Sequence, residues 1–135
     1  MGLAEKRIIK EFETTVYPGL KQKIDEAAGF AVPMEVRWDT LAKEERYSHQ
    51  WLGAWQNVYF QPIIDAFKHI CADDMGKEAL KGALKQIIVQ NTKDSYSSDW
   101  ASFESGVLTL DYQFANIDAV RDRMERLKTA VEKAL

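Results

Sequence analysis

Apolar residues recur at helical spacing in the first and last segments of the chain. In residues 3–28 they fall at Ile9, Phe12, Val16, Leu20 and Ile24. This period predicts an amphipathic helix, and Pro18 inside it predicts a kink or a division into two helices. From Asn116, a favourable N-cap, a second stripe predicts a C-terminal helix. That stripe consists of Ile117, Val120, Met124, Leu127 and Val131.

The middle of the chain predicts a long helix from about residue 41 to residue 72. Its large side chains recur every four residues: Tyr47, Trp51, Trp55, Tyr59, Ile63, Phe67 and Cys71. Four residues turn an α-helix by about 400°, so this series winds around the helix by about 40° per step. Pro62 predicts a bend or a division. We interpret the aromatic residues of this series as part of the hydrophobic core.

Alternating patterns predict the strands. Met34 to Trp38 alternates apolar with charged residues, residues 85–91 centre on Ile-Ile-Val, and residues 100–104 and 107–114 flank Ser105-Gly106. The last two runs predict a hairpin, and a short helix is expected at 77–85. The predicted order is α-β-α-α-β-β-β-α. We therefore expect a single α+β domain, residues 1–135, with a mostly antiparallel sheet of about four strands packed with helices.

The length of the hairpin turn determines which residues face the core. A two-residue loop at Ser105-Gly106 pairs Glu104 with Val107, Phe103 with Leu108, and Ala101 with Leu110. Trp100 then faces Asp111 on the polar side of the hairpin. A three-residue loop would shift the register by one and turn Trp100 inward.

Composition and charge argue against several classes of protein. The chain has 135 residues, a formal charge of −3 and a single cysteine, Cys71. The acidic balance argues against nucleic-acid binding. No apolar run approaches the roughly 20 residues of a membrane span, and the charged N-terminus does not resemble a secretory signal. A lone cysteine suits a reducing compartment, so we expect a cytoplasmic protein.

The charge distribution has one marked asymmetry. Residues 94–120 contain five acids and neither lysine nor arginine, and they also hold five aromatic residues. We call one part of this stretch the acidic–aromatic surface: Asp94, Tyr96, Asp99, Trp100, Glu104 and Asp111. Such a surface steers and holds a positively charged partner. It predicts a non-catalytic binding protein for a basic protein, and an inhibitor or immunity-type role suits it.

A second hypothesis places the function in the middle of the chain. A small-molecule pocket, in a binding domain or a minor enzyme, would lie between the sheet and the long helix. Its lining would be Trp38, Trp51, Trp55 and Tyr59. A homodimer built on the aromatic helix is compatible with either hypothesis.

Catalytic and metal-binding motifs give little support for an enzyme. The chain has none of the phosphate-loop, dinucleotide-binding, nucleophile-elbow, zinc-protease or C-x-x-C motifs. Asp65, His69 and Asp73 stand four residues apart, but on one straight helix they would span about 12 Å, too far to meet at one ion. Cys71 has no positioned base. We therefore predict no catalytic residue, metal ligand or cofactor.

Overall fold

The fold is given by a computed structural model that describes residues 2–42, 45–92, 101–111 and 120–135, with backbone alone for 45–47. The α-helices are α1 (Leu3–Glu11), α2 (Tyr17–Ala28), α3 (Trp38–Leu41), α4 (Trp51–Trp55), α5 (Gln61–Ile70), α6 (Asp74–Ala83) and α7 (Val120–Glu132). The strands are β1 (Met34–Val36), β2 (Gln86–Gln90), β3 (Ala101–Glu104) and β4 (Val107–Asp111). The α+β class is thus confirmed.

The four strands form one mixed sheet in the order β1-β2-β4-β3. The pairs β1–β2 and β2–β4 are parallel, and only β3–β4 is antiparallel. The prediction of a mostly antiparallel sheet was therefore wrong. Helices between β1 and β2 return the chain to the same end of the sheet, which permits parallel pairing. The hairpin then places its second strand, β4, beside β2.

The β3–β4 hairpin has the predicted register, with Glu104 opposite Val107, Phe103 opposite Leu108 and Ala101 opposite Leu110. Both turn residues have positive φ, 53° for Ser105 and 83° for Gly106. Such backbone angles are typical of the two-residue turns that match strand twist. The Gly106 carbonyl accepts a hydrogen bond from the Lys85 N–H at 2.7 Å, which attaches the turn to the start of β2. Trp100 lies outside the described residues.

Two prolines are accommodated by widened helical turns. Helical structure continues from residue 3 to residue 28 through a π-helical turn, Phe12–Val16, which comes directly before Tyr17-Pro18. A second π-helical turn, Gln56–Phe60, joins α4 to α5 directly before Gln61-Pro62. Because proline has no N–H, the preceding turn loses a regular hydrogen bond and widens without breaking.

The predicted helix 41–72 is instead a series of shorter elements. α3 ends at Leu41, a 3₁₀-helix occupies Glu45–Gln50, and regular helix resumes at Trp51. Helix α6 starts three residues before its predicted start, because the Asp73 side chain caps it by accepting a hydrogen bond from the Gly76 N–H at 2.8 Å.

The hydrophobic core lies between the helices and one face of the sheet. That face is built from alternate strand residues that are completely buried, Ile87, Val89, Leu108 and Leu110. In the helical layer α5 packs against both α2 and α7. None of the helices in the described segments is long and apolar enough to cross a membrane.

Candidate functional site

The second face of the sheet is partly open to solvent. One row of facing residues crosses all four strands on this side: Glu35, Ile88, Thr109 and Ser102. Glu35 and Ser102 are exposed, and the two central residues are half-buried. Glu104 extends the same side at the end of β3 and is also exposed. We call this side the open sheet face.

A continuous series of hydrogen bonds crosses the open sheet face at the carboxyl ends of the three parallel strands. Arg37 Nε donates to Glu35 Oε2 at 2.8 Å, and Arg37 Nη1 donates to Gln90 Oε1 at 2.5 Å. Gln90 Nε2 then donates to Asp111 Oδ2 at 3.0 Å. The Thr92 backbone N–H donates to Asp111 Oδ1 at 2.8 Å, and the Thr92 hydroxyl donates to Oδ2 at 2.5 Å. We call these five residues the polar chain.

Asp111 is the buried end of the polar chain, with 6% of its surface exposed. A buried carboxylate is costly unless hydrogen-bond donors replace water. Thr92 and Gln90 supply three such donors. Asp111 therefore holds the ends of β2 and β4 together.

The acidic–aromatic surface is described at two of its six positions. Glu104 is exposed at the hairpin, as a binding role requires, whereas Asp111 is buried. The other four predicted residues, Asp94, Tyr96, Asp99 and Trp100, lie outside the described residues. The residues that flank them are placed: Thr92 is bonded to Asp111, and Ala101 pairs with Leu110 beside it.

The aromatic series in the middle of the chain is core where its side chains are described. Trp51, Trp55 and Tyr59 have no accessible surface, which confirms their interpretation as core residues. Trp51 stacks on Trp55 with ring centroids 5.4 Å apart, and half-buried Trp38 lies 6.0 Å from Trp55. Three of the four residues expected to line a pocket thus offer no surface to a ligand. The Tyr47 side chain lies outside the described residues.

The interior of this cluster contains a polar group without a partner. Trp55 Nε1 is buried and has no hydrogen-bond acceptor within the described segments. Phe12 contacts the ring of Trp55 edge-on at 5.4 Å and stacks on Phe60 at 5.7 Å. Burial removes the hydration of the indole N–H, and no described residue supplies a hydrogen bond in return.

The pKa values of two side chains, Tyr17 and Cys71, are raised. Burial, together with the charges of Asp25 and Glu13, raises the pKa of Tyr17 to about 12. Burial also raises the pKa of the Cys71 thiol; Lys77 lowers it in part and Asp73 raises it. A thiol kept protonated is a poor nucleophile, and Cys71 lies in the core.

No metal site is visible among the described residues, which contain no group of three or more His, Cys, Asp and Glu side chains able to hold an ion. Of the predicted row, Asp73 serves as the cap of α6, and Asp65 Oδ1 accepts a hydrogen bond from Gln61 Nε2 at 2.9 Å. Both acids thus have structural partners.

Sequence reasoning missed the polar chain, in particular Arg37, Gln90 and Thr92. Each residue comes at or just after the end of a parallel strand, where polar side chains of neighbouring strands meet. The signal was present in the alternation of β1 and in the residues that follow β2, but using it requires the parallel pairing of β1 with β2. No protein-family model, characterised protein or solved structure matches this chain significantly.

Proposed function

We propose that this protein is a non-catalytic binding protein that engages a basic protein partner on the open sheet face, along the β3–β4 hairpin. The observation that carries the proposal is Glu104, which is exposed on the hairpin and has no ion pair in the described part of the chain. An uncompensated carboxylate beside a partly open sheet surface is available to a positively charged partner.

The charges nearby support this assignment. Arg37 lies on the open sheet face and pairs with Glu35 at 2.8 Å, while Lys85, just before β2, is an exposed base beside the hairpin turn. In the sequence, Asp94 and Asp99 add two acids within a stretch that has no lysine or arginine. A net negative surface of this kind raises the association rate with a basic partner and makes that rate sensitive to salt. An inhibitor or immunity-type role suits these properties.

We do not extend the proposal to a small-molecule pocket in the aromatic cluster. Trp51, Trp55 and Tyr59 have no accessible surface, and a ligand would have to displace packed rings to reach them.

The test compares charge reversals at two exposed acids. Glu104→Lys changes the proposed surface, and Glu78→Lys on α6 changes an exposed acid elsewhere. Proteins captured from native lysate by the wild type are identified, purified and recombined with each variant. Association rates are then measured at low and at physiological salt, after circular dichroism has shown that both variants fold.

We expect a basic partner whose association rate falls about tenfold with Glu104→Lys and stays unchanged with Glu78→Lys. A second variant, Asp94→Lys with Asp99→Lys, tests the acids that precede the hairpin and is expected to slow association further. Equal rates for wild type and Glu104→Lys, or a partner without net positive charge, would refute the proposal.

A further inference from the structure

A groove of about 440 Å³ lies between α5 and α7, in the helical layer of the molecule. The apolar part of its lining comes from α7, where Met124 is buried and Val120 is half-buried. Ligand sites in proteins commonly have volumes of about 300–1,000 Å³ and an apolar lining with a few charged groups. The volume of this groove therefore lies in the range of small-molecule sites, and its lining combines two apolar residues with five ionisable ones.

Charged groups of both signs surround this apolar lining. Lys68 and His69 of α5 and Arg121 of α7 lie on the groove, as do the carboxylates of Asp65 and Glu125. All except Asp65 are exposed. In the described segments none of the five takes part in an ion pair within 4.0 Å.

The absence of pairing is informative for Arg121 and Glu125. They stand four residues apart on α7, a spacing at which opposite charges commonly pair along a helix. Here both side chains line the groove and do not bridge each other. The groove therefore offers an uncommitted cation and an uncommitted anion to the same ligand.

We propose that this groove binds a small zwitterion with an apolar body, of which an α-amino acid is the simplest form. Arg121 and Lys68 would receive the ligand carboxylate, Glu125 and Asp65 the ammonium group, and Met124 the apolar body. A ligand with a single charge gains one contact and is repelled by the groups of like sign. The carboxylates of Asp65 and Glu125 would likewise repel a phosphate at this site. The proposal is independent of the partner-binding function of the open sheet face.

The test uses the intact chain, labelled with nitrogen-15, and follows backbone amide shifts by NMR. The probes are L-leucine, L-methionine and L-phenylalanine. Two further compounds each carry one charge of leucine on the same apolar body: 4-methylpentanoate keeps the carboxylate and 3-methylbutylamine keeps the ammonium. We expect saturable shifts of α5 and α7 amides with at least one amino acid, and about tenfold weaker binding of each single-charge analogue.

Matched variants on α7 locate the site. Arg121→Gln and Glu125→Gln are each expected to weaken amino-acid binding about tenfold. Arg126→Gln and Glu132→Gln change exposed residues of the same helix outside the groove and are expected to leave affinity unchanged. Thermal unfolding checks that all four variants fold. The proposal is overturned if no amino acid gives saturable shifts. It is also overturned if a single-charge analogue or inorganic phosphate binds as tightly as the amino acids, or if Arg121→Gln retains full affinity.

Discussion

The carboxylate of Asp111 accepts a hydrogen bond from the backbone N–H of Thr92 at 2.8 Å, and this contact joins the ends of two parallel strands. Thr92 is the last described residue before the acidic segment 93–100, and Asp111 ends β4. Asp111, which charge patterning assigns to a binding surface, thus anchors Thr92, which precedes that segment. Glu104, at the other end of the hairpin beside its turn, is exposed.

The two acids are therefore expected to differ in their effect on stability. Asp111→Asn keeps the size of the side chain but replaces one acceptor oxygen by a donor, which leaves the donors of Thr92 and Gln90 poorly matched. We expect the free energy of unfolding to fall by about 1–3 kcal/mol. Glu104→Gln is expected to change it by less than about 0.5 kcal/mol. Urea unfolding measures both, and equal effects of the two substitutions would show that Asp111 is not structural.

Two glycines of α6 allow a controlled test of how closely this helix packs against its neighbours. A Cβ atom on Gly76 would lie 1.7 Å from the Ile70 carbonyl oxygen, whereas nothing lies within 4 Å of a Cβ on Gly82. Gly76→Ala must displace the start of α6 and is expected to cost about 1–3 kcal/mol of unfolding free energy. Gly82→Ala is expected to raise the free energy of unfolding by roughly 0.5–1 kcal/mol, because alanine loses less backbone entropy than glycine when a helix forms.

Thermal or urea unfolding of the two alanine variants gives the comparison directly. A destabilisation by Gly82→Ala as large as that by Gly76→Ala would contradict the close approach of α6 to the end of α5.

Tyr17 is expected to make stability fall at alkaline pH. Its pKa is about 12 in the folded protein, against an ordinary value of 10.0. Between these pH values the unfolded chain loses the phenolic proton first, so rising pH favours unfolding. The contribution is fully present below pH 10 and is lost as the pH rises through about 12.

Spectrophotometric titration and unfolding at several pH values test this expectation. Tyr17→Phe should remove a phenol that titrates near 12 and should flatten the fall in stability between pH 10 and pH 12. If the variant and the wild type show the same alkaline titration, the environment assigned to Tyr17 is wrong.

Cys71 is expected to react slowly with thiol reagents in the native protein. The residue is 6% exposed, and burial raises the pKa of its thiol, so little thiolate is available. Since it is the only cysteine, the reaction reports on this site alone. We expect modification on the order of 100-fold slower in native buffer than in urea. Rapid modification of the folded protein would place Cys71 in contact with solvent.

Local patterns determined much of this fold from the sequence. The alternation on either side of Ser105-Gly106 gave the register of the hairpin, because a two-residue turn fixes which residues face each other. Helical spacing located the buried positions Phe12, Leu20 and Ile24 in the first helical segment. These features depend on contacts between residues close in the chain, and a single sequence contains that information.

Tertiary structure alone decided which strands are neighbours and which polar groups are buried. β4 lies between β2 and β3, so Asp111 meets Thr92 from a distant part of the chain and becomes buried. The groove between α5 and α7 likewise has both Lys68 and Arg121 in its lining. Neither arrangement has a local signature, because both arise from the order in which whole elements pack around one core. The sequence by itself determined the first helical segment, the strands and the hairpin register; packing of the helices and sheet decided how the middle of the chain divides and which surfaces the elements present.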